Sequence, residues 1–219
     1  MELKFRESHI ISNQRDILNL LDDAFDDQIF SHNTKNAFFT GYCSNYPNFV
    51  LVENRNMPVA VAIVAIRKIH FFGSIAKAMT IGPFAVAQNM QNQGLGRKLM
   101  EGIEVLAKKL SVELLYLVGI KGFYKSLGFK TSMQRSKILL NHTELPTGPS
   151  SSVQAFDPSF KNDLVKSHKN LSNLFNLSAQ RSCNDWKWLI EHATTSYYFY
   201  KPKVVLDEND NFVGYFTND

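Results

Sequence analysis

The sequence predicts a mixed α/β fold in which a largely antiparallel, splayed sheet is flanked by helices and followed by a C-terminal extension. Three observations carry this prediction. Apolar runs at 49–52 and 59–66 flank the turn-forming residues 53–56, which indicates a hairpin. Only two helical patterns separate the strands that follow, which favours a mixed sheet. Pro83 interrupts the next apolar strand, where a proline requires an edge or a bulge.

The first half of the chain alternates between the periods of strands and helices. Residues 3–6 alternate polar and apolar side chains as a strand does. Ser12 and Asn13 can cap a helix on which Ile17, Leu20 and Phe25 recur at helical spacing. The hairpin at 49–66 comes next, and a glycine turn at Gly73 leads into a strand at 76–86.

A second, longer helix is predicted at 95–110, because Leu99, Ile103, Leu106 and Leu110 lie on one face. A short apolar strand at 113–118, a short helix at 121–127 and a strand at 137–140 complete this part. We therefore expect a first domain at 1–142.

Residues 143–152 are rich in proline, glycine and serine, which is typical of a linker. Beyond it, we predict an extension at 153–219 that consists of helices at 158–177 and 184–192 and a hairpin at 203–216. The second hairpin repeats the pattern of the first one, since 50–54 matches 204–208. This indicates either a partial second copy of one unit or two unrelated hairpins of common design.

The composition favours a soluble cytoplasmic protein. The net charge of +4 and the pI near 9.0 suit an anionic ligand without requiring nucleic acid. Cys43 and Cys183 are far apart and match no zinc or CxxC spacing, so we expect reduced thiols. The N-terminus lacks a signal-peptide core, and the longest apolar run, 58–66, is about half of a membrane span.

A glycine turn precedes the long helix. Gly94 and Gly96 allow close backbone approach to a helix N-terminus, whose unpaired N–H groups bind anions, and Arg97 and Lys98 add positive charge. The alternative is a helix that merely begins after such a turn. The spacing excludes a Walker loop, and Leu99 stands where a dinucleotide fingerprint needs glycine.

The strand before this turn predicts what the ligand is. A bulge at Pro83 would part the strand from its neighbour at 114–118 and leave backbone groups of residues 84–86 unpaired. An extended ligand with amide groups could pair with them, and its pyrophosphate end would meet the glycine turn. Coenzyme A has both parts.

Two stretches carry a family resemblance. Residues 91–96, QNQGLG, resemble the Q/R-x-x-G-x-G/A signature of the GNAT N-acetyltransferase superfamily, with the lead-in GPFAV at 82–86. Residues 117–129, LVGIKGFYKSLGF, are similar to its second hallmark, a strand followed by a short helix with FY and a terminal GF. The resemblance covers roughly residues 1–140 and implies the GNAT-like acetyltransferase fold.

The resemblance implies an acetyl-CoA-dependent N-acetyltransferase that acts on a primary amine by direct attack in a ternary complex. Tyr124 falls where many members place the general acid; its alternative is a lining aromatic. The coenzyme would be held by backbone groups of the strand and by the glycine turn, at Phe84, Ala85, Val86, Gln91, Asn92, Gln93, Gly94, Leu95, Gly96, Arg97 and Lys98. A backbone N–H near Val86 could stabilise the oxyanion.

The general base stays open. The strand at 76–86 contains no carboxylate, so Glu53, Asp26 and Asp27 are candidates, as is attack by an already neutral amine. The acidic run 22–27 is either a solvated helix end or a lip that attracts a cationic acceptor.

Two other functions are considered. One is a catalytically silent coenzyme A sensor or interaction module on the same fold. The other is a nucleic-acid binder that uses the basic, aromatic run 121–137, which can equally be a solvated face. We expect no metal, since the histidines lack ligand spacing, and no membrane partner; an exposed edge hairpin could support a homodimer.

Overall fold

The computed structural model describes residues 1–6, 14–25, 49–119, 121–132, 151–174, 177–181, 186 and 203–216. The predictions for Asp26, Asp27, the strand at 137–140 and most of the helix at 184–192 lie outside these residues. The described strands and helices are β1 (Glu2–Arg6), α1 (Gln14–Ala24), β2 (Phe49–Asn54), β3 (Met57–Phe71), β4 (Ser74–Val86), α2 (Leu95–Lys109), β5 (Leu114–Leu117), α3 (Lys121–Ser126), β6 (Ser152–Ala155), α4 (Lys161–Ser172), β7 (Leu177–Ala179), β8 (Lys203–Leu206) and β9 (Phe212–Phe216).

The main sheet has the order β1-β2-β3-β4-β5. Its first four strands are antiparallel neighbours, whereas β4 and β5 run parallel. The fold class predicted from the sequence is therefore confirmed: a mixed sheet, mostly antiparallel, with helices on its faces.

The two faces of this sheet carry separate apolar clusters. Leu99, Ile103 and Leu106 of α2 pack on one face, which we call the α2 face. Ile17 and Leu21 of α1 pack on the other, the α1 face. Both helices place their apolar residues three or four positions apart, so each buries one stripe against the sheet.

The extension differs in part from the expectation. The helix predicted at 158–177 is shorter in the structure. A 3₁₀ turn occupies its first three residues, α4 runs from Lys161 to Ser172, and strand β7 begins at Leu177. Neither β7 nor β6 is predicted from the sequence, since strands of three and four residues give almost no periodic signal. The hairpin predicted at 203–216 is confirmed as β8 and β9.

The extension contributes to both sheets. β6, β8 and β9 form a second, antiparallel sheet. In contrast, β7 joins the main sheet by pairing with the end of β3, and the Gln180 side chain contacts His70 Nε2 at 2.9 Å. The two parts of the chain are thus connected through a shared strand pairing.

A half-buried histidine and an aromatic contact hold α4 within the extension. His168 Nδ1 lies 3.0 Å from the Tyr215 hydroxyl on β9, and Ser172 Oγ lies 3.3 Å from Nε2 of the same ring. The Trp186 ring, 2% exposed, contacts the His168 ring edge-on, and Arg181 stacks on Trp186. Trp186 is therefore a core residue of the extension.

The order of elements in the extension repeats that of the first domain. A strand, a helix and a hairpin occur as β1-α1-β2-β3 and again as β6-α4-β8-β9, except that β7 precedes the second hairpin; the lone strand pairs with the first hairpin strand in both cases. Both hairpins also shift register near their turns, at Val52/Glu53 and at Val205/Leu206. This repetition supports the proposal of a partial second unit after residue 152.

Candidate coenzyme and active site

The candidate site begins where β4 and β5 separate, which we call the fork. Parallel pairing runs from Ala78 opposite Leu114 to Ile81 opposite Leu117 and then stops, although β4 continues to Val86. A register shift in the β3–β4 pairing lies opposite Pro83. Since proline cannot donate to the ladder, the strand bulges there, as predicted.

The bulge at Pro83 changes which residues of β4 point to each face of the sheet. Ile81 and Phe84 both pack on the α2 face although three positions separate them, because the extra residue changes the alternation. Ala85 lies on the α1 face and is 3% exposed. The side chain of Phe84 is therefore directed towards α2 and α3.

Two backbone units of β4 face the open side of the fork. The Ala87 N–H donates to Val59 O at 2.9 Å, and hydrogen-bonded positions alternate along an antiparallel pair. The backbone of Ala85 therefore pairs with β3, and that of Phe84 and Val86 points away from it. One of these groups, Val86 O, accepts a weak bond of 3.4 Å from Gln91 Nε2.

The glycine turn leads from the fork into α2. Gly94 is the N-cap of this helix at φ 78°, in the left-handed region that glycine adopts without cost. It provides no side-chain cap, so the amides of Leu95, Gly96 and Arg97 have no partner from a capping side chain. The helix N-terminus that the sequence predicts is confirmed at Leu95.

The two cations of this turn differ in their environment. The Arg97 side chain is exposed in the first turn of α2, beside the amides that have no capping side chain. The Lys98 ammonium instead donates to Met1 O at 2.8 Å, and the Lys98 amide donates to Gly94 O. Within the predicted coenzyme-binding residues, Arg97 is thus the better placed cation for an anion at the turn.

The remaining members of the predicted turn bond locally. Gln93 Nε2 reaches Asn89 O at 3.3 Å, and Asn92 adopts φ 59°. The Gln93 bond stays within the loop that ends at Gly94, whereas the Gln91 side chain bonds back to Val86 O at the end of β4.

Gly96 has a packing role that sequence reasoning missed. A Cβ added at Gly96 would lie 3.0 Å from Phe123 Cζ and 3.7 Å from Phe84 Cε1. Glycine here lets the α3 aromatic approach the first turn of α2. A substitution of Gly96 would therefore change this packing as well as any anion site. In the sequence, only the aromatic pair Phe123-Tyr124 could have indicated that a ring packs against this glycine.

Tyr124 lies in the middle of an aromatic cluster at the fork. Its ring contacts those of Phe84, Phe123 and Phe129 edge-on, with centroids 5.9, 4.9 and 6.0 Å away. Burial raises the pKa of the Tyr124 hydroxyl above its ordinary value of 10.0. The structure thus brings Tyr124, Phe84 and Gly96 together, and the hydroxyl carries its proton at neutral pH.

Glu53, the candidate base that lies within the described residues, is on a strand that does not adjoin β4. Glu53 is 7% exposed and lies at the end of β2, opposite Pro58 of β3 and two strands away from β4. Its role as a base stays a prediction.

The end of α1 approaches the end of β4. Gln88 Nε2 donates to Asp23 O at 2.8 Å. A cavity of ≈ 300 Å³ lined by Asp23, Ala87, Gln88 and Asn89 lies at this junction. One residue of the acidic run thus borders a polar cavity beside the candidate site.

The described residues contain no cluster of three or more His, Cys, Asp or Glu side chains that could hold a metal ion. They also contain no helix with the length and apolar character to cross a bilayer.

The splayed mixed sheet with a glycine turn at a helix N-terminus is the arrangement that the resemblance to the GNAT superfamily implies. Residues 45–131 match the family model of the acetyltransferase (GNAT) domain. Residues 45–131 are therefore similar to the acetyltransferase domain of the GNAT superfamily, which confirms the resemblance expected from the sequence. No curated protein sequence matches it.

Solved structures share its fold at low sequence identity. A conserved protein of unknown function from Enterococcus faecalis, a probable N-acyltransferase, has a TM-score of 0.69 and 12% identity over 99% of this chain and 54% of its own. Saccharomyces cerevisiae N-myristoyltransferase with bound myristoyl-CoA gives a TM-score of 0.65 at 12% identity, over 99% of this chain and 57% of its own. The chain spans only about half of the length of both.

A shorter structure covers less of the chain. An aminoglycoside acetyltransferase from an uncultured soil metagenomic sample has a TM-score of 0.50 and 18% identity over 64% of this chain and 95% of its own. The two longer structures thus match the extension as well as the first domain.

Proposed function

We propose that this chain is an acetyl-CoA-dependent N-acetyltransferase that transfers the acetyl group to a primary amine in a ternary complex. The observation that carries the proposal is the continuous path from the outward-facing backbone of Phe84 and Val86 to the uncapped amides at the start of α2. Amides of an extended arm can pair with the first part, and a pyrophosphate with the second.

The reaction needs a polarised carbonyl and a proton for the departing sulfur. The amine nitrogen attacks the thioester carbon, and an N–H of Phe84 or Val86 donates to the oxyanion. The carbon–sulfur bond then breaks, and the thiolate takes the proton of the Tyr124 hydroxyl, which solvent later replaces. The proton of the amine passes to water or to a carboxylate.

We expect Arg97→Glu to weaken acetyl-CoA binding about tenfold or more, because it puts a negative charge beside the pyrophosphate position. Isothermal titration calorimetry with acetyl-CoA measures this effect. Arg97 is preferred to Gly96 for the test, since a side chain at Gly96 would also displace Phe123.

Lys108→Glu is the matched control, because it makes the same charge change on an exposed residue in the last turn of the same helix. Equal affinities of Arg97→Glu and wild type would argue against the site at the turn. Wild-type binding without turnover of any amine would instead favour the coenzyme-sensor function.

A further inference from the structure

Gly119 lies just beyond the end of β5, where the chain leaves the fork. It is exposed, and its backbone is not in the left-handed region, which among the described glycines Gly73, Gly82, Gly94 and Gly128 adopt. Neither burial nor backbone conformation therefore explains a glycine at this position.

The contact that does explain it is with Tyr124. A Cβ added at Gly119 would overlap Cε2 of the Tyr124 ring and lie 3.0 Å from Cδ2 and 3.2 Å from Cζ. One edge of the ring thus rests directly on the Gly119 backbone. No side chain fits between them while the ring keeps its position.

Three other aromatic rings limit the directions in which the ring can move. Phe84, Phe123 and Phe129 each contact it edge-on. A methyl group at residue 119 must therefore push the Tyr124 ring against these neighbours or shift the backbone that links β5 to α3. Close-packed aromatic clusters resist such a change.

We infer that Gly119 is a positioning residue for Tyr124: it is the backbone support that sets where the tyrosine hydroxyl lies at the fork. This inference rests on the proposed function, because the hydroxyl has a chemical task only if acyl transfer takes place. Gly119 itself contacts no reacting atom and acts through the ring.

The test is a double-mutant cycle of Gly119→Ala and Tyr124→Phe with kcat, KM and the calorimetric Kd for acetyl-CoA. Gly119→Ala should lower kcat about 10- to 100-fold, since a displacement of about 1 Å can cost that much. The Kd for acetyl-CoA should stay within about twofold. In the Tyr124→Phe background, Gly119→Ala should cost nothing further.

Gly122→Ala is the matched control, because Gly122 lies three residues further on and a Cβ there meets no atom within 4 Å. It should match the wild type in all three quantities. A Gly119→Ala effect of equal size in both backgrounds, or an equal loss in the Kd for acetyl-CoA, would overturn the inference.

A spectrophotometric titration of the tyrosines, taken as the difference from Tyr124→Phe, gives a readout without turnover. Gly119→Ala should move the pKa of Tyr124 from its raised value towards the ordinary one, because a displaced ring is less buried. An unchanged titration would contradict the contact. If wild type shows no turnover, the proposed function fails, while this titration still tests the support.

Folding of the variant is itself informative. If Gly119→Ala does not fold, the combination with Tyr124→Leu, which removes the ring, should restore folding if the ring contact is the cause. A double variant that remains unfolded would overturn the inference.

Discussion

Replacement of Tyr124 by phenylalanine should reduce kcat for acetyl transfer by about 10²- to 10⁴-fold, the usual contribution of a general acid. The ring would stay in its aromatic cluster, so the Kd for acetyl-CoA should change little. Because burial raises the pKa of Tyr124, the wild-type rate should fall on the alkaline side only above about pH 10. Steady-state kinetics across pH measure kcat and its fall at alkaline pH, and calorimetry measures the Kd for acetyl-CoA.

Tyr215→Phe provides the control for this result. Tyr215 is also half-buried, burial also raises its pKa, and it lies in the second sheet away from the fork. The Tyr215→Phe variant should retain the wild-type kcat and the same fall of the rate at alkaline pH. If Tyr124→Phe retained full activity, Tyr124 would be a lining aromatic and another group would protonate the thiolate.

The second large effect concerns stability. Ile103→Ala should lower the free energy of unfolding by about 2–5 kcal/mol, because Ile103 is 0% exposed between α2 and the sheet and its loss leaves a cavity. That is a large part of the roughly 5–15 kcal/mol that stabilises a typical domain. Urea unfolding followed by circular dichroism measures the change.

Val105→Ala on the same helix is the matched control. Val105 is 57% exposed, so its truncation should change the free energy of unfolding by less than about 0.5 kcal/mol. A similar loss in both variants would mean that α2 does not bury its Ile103 face as described.

Much of the main sheet could be predicted from the sequence, because its elements are long and strongly patterned. The apolar stripe of α2, the alternation in β2 and β3 and the proline at position 83 each have one physical interpretation. Long periodic segments average out local exceptions. The family resemblance then rested on two motifs in the first domain, and the GNAT match at 45–131 includes both of them.

The parts that could not be predicted depend on tertiary contacts. β7 is three residues long, and it is a strand because β3 offers a free edge beyond β2. The bond from the Lys98 ammonium to Met1 O joins residues 97 positions apart, so only the folded chain reveals it, while the role of Lys98 as a coenzyme ligand stays a prediction. The need for glycine at positions 96 and 119 likewise arises from rings of α3 that meet them only in the folded chain.

The pairing of β7 with β3 also bears on how this protein is made. His70 and Gln180 are separated by 110 positions in the chain. At roughly 5–20 residues per second, a ribosome needs about 5–20 s to synthesise that interval. During this time the end of β3 has been synthesised but β7, which pairs with one of its edges, has not. An unpaired strand edge is a place where nascent chains associate wrongly. The nascent protein therefore has an interval in which a chaperone that covers strand edges would be most useful.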